Sequence, residues 1–264
     1  VKLVDSHVHT PLCKHAVGDP SAYLEAARRA GLAGVVFTDH APMPPWFDPE
    51  SRMDREMLPF YLATLERLRE QTYDLEVGIG LEADYHPGTE RYVRELLLSY
   101  PFDYVIGSVH FIGAWPFDHP RYAEEFSWRE LREVYREYFE LVIEAARSGL
   151  FHAIGHLDLP KKFGHVPEDG YVALAEEALS VIAGEGLALD VNTAGWRKPV
   201  GEPYPSPALL ARARELGIPV VLGSDAHAPE EVGHRFADAV ALLKSVGYTE
   251  AVVFWQGRPR ALKL

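Results

Sequence analysis

A single cysteine, Cys13, stands in 264 residues, so no disulfide can form within the chain and a cytoplasmic setting is the expectation. Asn and Gln occur only at Gln71, Asn192 and Gln256; this scarcity, with Arg preferred over Lys, fits either a hot habitat or GC-rich codons. Positive charge is short as well: 26 Lys and Arg face 39 Asp and Glu, a formal net charge of −13. A surface that follows a phosphate backbone needs a basic face, so nucleic acid is not an expected partner and a small molecule is. No apolar run approaches a membrane span and neither end reads as a secretory signal, which predicts a soluble protein without a membrane partner. A homo-oligomer is compatible with all of this.

What is present is an ordinary globular balance, 47% hydrophobic and 25% charged. The length suits one α/β domain over residues 1–264. Short β-rich runs recur at Leu3–Asp5, Val35–Thr38, Val77–Leu81, Tyr104–Ser108, Ala153–Gly155, Ala188–Asn192 and Val220–Gly223, with a weaker last run at Val252–Trp255. Helical patterns lie between them. Asp19-Pro20 opens one with an acidic cap and a proline in the first turn, and Gly31 stops it. Others span Met53–Gln71, Glu90–Leu98, Trp128–Ser148, Gly170–Gly184, Pro207–Leu216 and Phe236–Val246. Strands that are apolar throughout are covered on both faces, as in a parallel sheet clothed by helices, and about seven strand-helix units suggest a barrel. A doubly wound open sheet is the alternative, but no G-x-G-x-x-G follows the first strand, where Asp5-Ser6-His7-Val8-His9 stands.

In a barrel of parallel strands the chemistry sits at the carboxyl ends. The first strand ends in His7-Val8-His9, where residues two apart share a side and can share a metal. The second ends in Asp39-His40, the third in Glu82, the fourth in His110, the fifth in His156 and the seventh in Asp225-Ala226-His227, with His15 in the first loop. Any one of these alone reads as an ordinary polar loop residue. Collected at one end of six strands, they read as a metal centre. His86, His119, His152, His165 and His234 lack that placement and are read as structural, as is Cys13. Nitrogen and carboxylate ligands without thiolate suit Zn, Fe, Mn or Co, and the choice stays open.

Val4-Asp5-Ser6-His7-Val8-His9-Thr10, Phe37-Thr38-Asp39-His40, Ile154-Gly155-His156 and Gly223-Ser224-Asp225-Ala226-His227 resemble the four motif regions of the PHP (polymerase and histidinol phosphatase) superfamily. Gly80-Leu81-Glu82 and Gly107-Ser108-Val109-His110 complete its ligand pattern. The resemblance implies a distorted (β/α)7 TIM-like barrel with its metal site at the C-terminal ends of the strands, and three divalent ions. His7, His9, Glu82 and Asp225 would hold the first, Glu82, His110 and His156 the second, and His15, His40 and His227 the third. Residues 80–88, Ser108–Ile112, Trp115–Asp118 and Asn192–Pro199 are similar to the histidinol-phosphatase branch, which implies hydrolysis of L-histidinol phosphate in histidine biosynthesis.

With three divalent ions the cationic charge exceeds that of Glu82, Asp225 and a bridging hydroxide, so a phosphate dianion is attracted and a metal-bridging hydroxide would attack phosphorus. Glu82 and Asp225 are the candidate catalytic groups. Arg197 is the candidate phosphate clamp, because guanidinium binds two oxygens at once, and Lys161 is a second candidate where some relatives carry Arg. Lys162 and Lys198 are read as solvated. Asp5 and Asp39 are read as supports that orient a neighbouring ligand histidine or the strand end, and Phe111, Trp115 and Phe117 either wall the pocket or pack their loop. The competing functions are a phosphoesterase for nucleotides or other small esters, and a non-catalytic PHP module. An amidohydrolase-type barrel is disfavoured because no lysine stands where it would bridge two metals.

Overall fold

The computed structural model describes residues 3–264. Strands β1 (Val4–Val8), β2 (Gly34–Phe37), β3 (Glu76–Asp84), β4 (Tyr104–Ser108), β5 (Ala153–Ile154), β6 (Ala188–Asn192) and β7 (Val220–Gly223) lie side by side in chain order. Each pairs in parallel with the next. The ring closes where Val8 bridges Ala226: His9 N donates to Ala226 O at 2.9 Å and Ala226 N donates to His7 O at 3.3 Å. One helix follows each strand: α1 (Pro20–Arg29), α2 (Leu58–Gln71), α3 (Glu90–Leu97), α4 (Leu131–Arg147), α5 (Glu176–Gly184), α6 (Pro207–Glu215) and α7 (Phe236–Ser245). This is the (β/α)7 TIM-like barrel, distorted by a two-residue β5 and by a register slip in β1 between Asp5 and Val8.

The local chemistry is as the residues dictate. Asp19 caps α1 by accepting from Ser21 N at 2.9 Å, Pro20 takes the first turn where a missing N–H costs nothing, and Gly31 supplies a φ of +70° beyond the end. Strands β1 and β2 are buried at every position, because helices cover the outside while side chains fill the inside.

Several expected boundaries shift. The helix expected from Trp128 begins at Leu131, because a 3-10 segment at Pro120–Trp128 precedes it. The one expected from Gly170 begins at Glu176, after a 3-10 turn at Val172–Ala175, and the one expected from Met53 begins at Leu58. The last strand expected is not part of the barrel: β8 (Glu250–Trp255) pairs antiparallel with β9 (Arg258–Lys263). This hairpin stoppers one end of the barrel. Val253 and Phe254 pack with Val4, Val36, Ile106, Ala153, Ala188 and Val221 from six strands, and Phe254 stacks on Tyr104 with centroids 5.2 Å apart. The floor of the barrel is therefore apolar and filled, and the polar residues gather at the opposite, carboxyl end. No helix among the described residues is long and apolar enough to cross a membrane.

Candidate metal centre

Glu82 occupies the middle of the carboxyl end. It lies within β3 rather than after it, pinned by Glu82 N to Asp39 O at 3.0 Å and Ala41 N to Glu82 O at 2.8 Å. Its two oxygens face different partners. Oε2 lies 3.4 Å from His7 Nε2, 3.5 Å from His9 Nε2 and 3.1 Å from His40 Nδ1. Oε1 lies 3.0 Å from His156 Nε2 and 3.6 Å from His110 Nε2. Asp225 Oδ1 joins the first group, 3.1 Å from His9 Nε2 and 3.8 Å from His7 Nε2. A carboxylate with one oxygen toward three imidazoles and the other toward two has the shape of a bridge between two cations.

A third group lies at the rim. His15 Nε2 and His227 Nε2 are 3.0 Å apart, and His40 completes a set with the two of them. His40 also forms a metal-capable set with Glu82 and His110, so it stands between the rim and the bridge. The donors fit a metal on a second ground. His7 Nε2, His9 Nε2 and His40 Nδ1, the atoms that face Glu82 Oε2, are buried without a hydrogen-bond partner among the described residues. Unpaired buried donors on this scale are costly in protein alone and ordinary around cations. All nine ligand candidates therefore meet in one place.

The surrounding electrostatics favour ionised carboxylates. Burial alone would raise Glu82, yet His40 and His7 hold its carboxyl well below the usual range. Asp225 is likewise held low against burial by His7 and His9. Two of the ligand candidates take positive φ, His156 at +23° and Asp225 at +54°, a region that non-glycine residues adopt uncommonly.

Outer carboxylates orient the imidazoles. His7 Nδ1 meets Asp190 Oδ2 at 2.7 Å, His110 Nδ1 meets Asp84 Oδ1 at 2.9 Å and His9 Nδ1 lies 3.4 Å from Asp39 Oδ1. Asp39 was expected in this role; Asp84 and Asp190 were not. Each is two residues from another site residue on its strand, Glu82-x-Asp84 and Asp190-x-Asn192, the same spacing that marks His7-x-His9. Asp5 braces the strand ends at the closure, the second role read for it, accepting from Ser224 N at 2.9 Å, Gly233 N at 2.8 Å and the Ser224 hydroxyl at 2.5 Å. Burial pushes Asp5 up to about 6 despite those bonds. Gly223 is needed here, because a Cβ on it would stand 2.4 Å from Asp190 Oδ1 and 2.5 Å from His7 Cβ.

The centre opens into a cleft of about 710 Å³ whose wall includes Arg52, Phe111, Asp118, Lys162, Arg197 and Lys198. Arg197 is anchored by Ser224 O at 3.0 Å, Asp225 O at 3.1 Å and Glu231 Oε1 at 3.2 Å, and its Nη1 has no partner among the described residues. Lys161 does not reach the cleft, and its expected contact with substrate is corrected. Its side chain is wholly buried, and its ammonium is taken up by Asp158 at 2.9 Å, Glu202 at 2.7 Å and Pro203 O at 2.8 Å. The neighbouring Lys162, read from sequence as solvated, lines the cleft instead and bonds Asp118 O at 2.7 Å. Trp115 and Phe117 pack their loop against Phe126 and Tyr138, while Phe111 reaches the cleft. His119 caps the turn at Arg121, and His165 stacks on Phe126.

Comparison with known proteins agrees with this geometry. The model of the PHP domain family matches residues 5–194, and a PHP-associated model matches residues 210–236. The chain is 58% identical to a Deinococcus radiodurans protein named "Probable histidinol-phosphatase", over 93% of this chain and 94% of that one. It is 32% identical to the histidinol-phosphatase of Bacillus subtilis, over 88% and 96%. The crystal structure of histidinol phosphate phosphatase from Lactococcus lactis, complexed with Zn, L-histidinol and phosphate, superposes with a TM-score of 0.84 at 24% identity, covering 98% of this chain and 99% of that one.

Proposed function

Because the chain belongs to the PHP domain family, we infer that it is a metal-dependent phosphomonoesterase that hydrolyses L-histidinol phosphate to L-histidinol and inorganic phosphate. The observation that carries the chemistry is Glu82, with Oε2 toward His7 and His9 and Oε1 toward His156 and His110. The substrate follows from 58% identity along nearly the whole length of a histidinol-phosphatase relative. Residues 1–264 act in this reading as one PHP-type hydrolase domain.

His7, His9, Glu82 and Asp225 would hold one divalent ion, Glu82, His110 and His156 a second, and His15, His40 and His227 a third. The nitrogen and carboxylate donors are compatible with Zn, Fe or Mn. Such ions lower the pKa of water and offset the charge of a phosphate ester, which is the chemistry the bound metals supply. The protein's own residues do the remainder. Glu82 fixes the separation of the two imidazole pairs, so that a phosphate group meets both at once. Arg197 lines the cleft beside Asp225 and its guanidinium binds a phosphate oxygen there, held from behind by Glu231. Lys162 brings a second positive charge to the cleft wall. Asp190 and Asp84 keep the ligand nitrogens of His7 and His110 directed inward, and Asp39 lies beside the outer nitrogen of His9.

The reading is tested by phosphate release from L-histidinol phosphate against a panel of nucleotide and sugar phosphates. A strong preference for histidinol phosphate in kcat/KM is expected. Equal rates across the panel would replace it with an unselective phosphoesterase.

A further inference from the structure

Two imidazoles of the centre, His7 and His110, are hydrogen-bonded to carboxylates and a third, His9, lies beside one, and those carboxylates are braced by different groups. Asp190, behind His7, accepts from the Asn192 side-chain amide at 3.2 Å. Asp39, beside His9, accepts from the Thr10 hydroxyl. Asp84, behind His110, accepts from the guanidinium of Arg52. The first two braces are neutral and the third is a full positive charge.

Arg52 is 3% exposed and belongs to the segment between β2 and α2 that forms part of the cleft wall. Its guanidinium lies 5.0 Å from the centroid of the Phe47 ring and 3.5 Å from Asp48 Oδ2. A buried cation is costly unless paired, and Asp84, the carboxylate that accepts directly from Arg52, is the main partner that ties this segment to the centre. A guanidinium also binds a carboxylate directionally, which fixes the orientation of Asp84 and with it the His110 ring.

We propose that Arg52 is a positioning residue that, through Asp84, holds His110 at the centre and makes metal retention at the Glu82–His110–His156 position depend on the placement of the cleft wall. No step of the chemistry passes through Arg52 itself. The proposal rests on the metal assignment above.

The test compares the metal-loaded wild type with Arg52→Met, Arg52→Lys, Asp84→Asn and the Arg52→Met/Asp84→Asn double variant. Metal release into chelator, metal content and the rise in melting temperature on loading are followed beside kcat. Removing an outer-sphere partner of a metal ligand typically costs about 10–100-fold in affinity, so Arg52→Met should lose one ion of the set roughly that much faster, with Arg52→Lys partly restored. Because Arg52 acts through Asp84, the double variant should behave as Asp84→Asn alone. Wild-type release rates in Arg52→Met would overturn the proposal. So would an undiminished effect of Arg52→Met in the Asp84→Asn background, or a fall in melting temperature that is equal with and without metal while release is unchanged. If Asp84→Asn does not fold, the release rates of the Met and Lys variants decide. A wild type that binds no metal would instead defeat the underlying metal assignment.

Discussion

Replacing Glu82 by Gln tests the bridge with almost no change in volume. Glu82 is 1% exposed and has five imidazoles directed at its two oxygens between 3.0 and 3.6 Å. Gln keeps one oxygen but puts an amide N–H₂ in place of the other and removes the negative charge. The amide can face one imidazole pair only as a donor, so one of the two metal positions loses its shared oxygen. Losing an outer partner of a metal ligand costs about 10–100-fold; losing the bridging ligand should exceed that. A fall in kcat/KM of roughly a thousandfold or more, about 4 kcal/mol in the barrier, is expected, with at least one ion missing. The assay is elemental analysis of chelator-free protein paired with phosphate release. A variant with wild-type metal content and rate would refute the bridge.

Arg197→Ala should spare metal content and lower kcat/KM roughly ten- to a hundredfold, in line with ~1.5–3 kcal/mol for hydrogen bonds to charged groups; unchanged kinetics would remove Arg197 from the site. Lys161→Met, by contrast, should act on stability. It strips a wholly buried pair and leaves Asp158 without its cation, and breaking such a pair costs about 3–5 kcal/mol, visible as a lower midpoint in denaturant; a selective rise in KM at unchanged stability would contradict its placement. In the metal-free protein burial opposes protonation of His110, yet Asp84 and Glu82 raise it to about 9. A raised imidazole stabilises the chelated fold fully below the ordinary histidine value of 6.5, and that contribution is lost as pH rises through about 9. Metal needs the neutral ring, so binding should release protons and weaken on acidification below about 9; affinity independent of pH in isothermal titration would contradict this.

Most of the ligand candidates were legible because they end an apolar run, and parallel strands bring their carboxyl ends together; His15, in the first loop, was legible only through the family resemblance. Their outer supports were not, since Asp84 and Asp190 lie inside strands where an aspartate carries no mark of its partner. Lys161 and Lys162 show a sharper limit. Both fall in the 3-10 turn Leu159–Phe163, where adjacent residues point about 120° apart. One enters the buried pair and the other the cleft, and no pattern in the residues separates them. The β9 strand was missed because Arg258, Pro259, Arg260 and Lys263 are exposed, as suits an edge that must not pair further. Arg52 was hidden for another reason: its role depends on a loop that crosses 32 residues of chain to reach Asp84.

In the function proposed above, these nine side chains would hold the divalent metals that hydrolysis of a phosphate ester requires. The most direct measurement is metal analysis of the wild-type protein prepared without chelators, on the same sample that is assayed for phosphate release from L-histidinol phosphate before and after chelation. Bound divalent metal, turnover that chelation abolishes and turnover that returns on adding metal back are the predicted results. Protein that holds no metal, or that hydrolyses the ester equally well after chelation, would contradict the account.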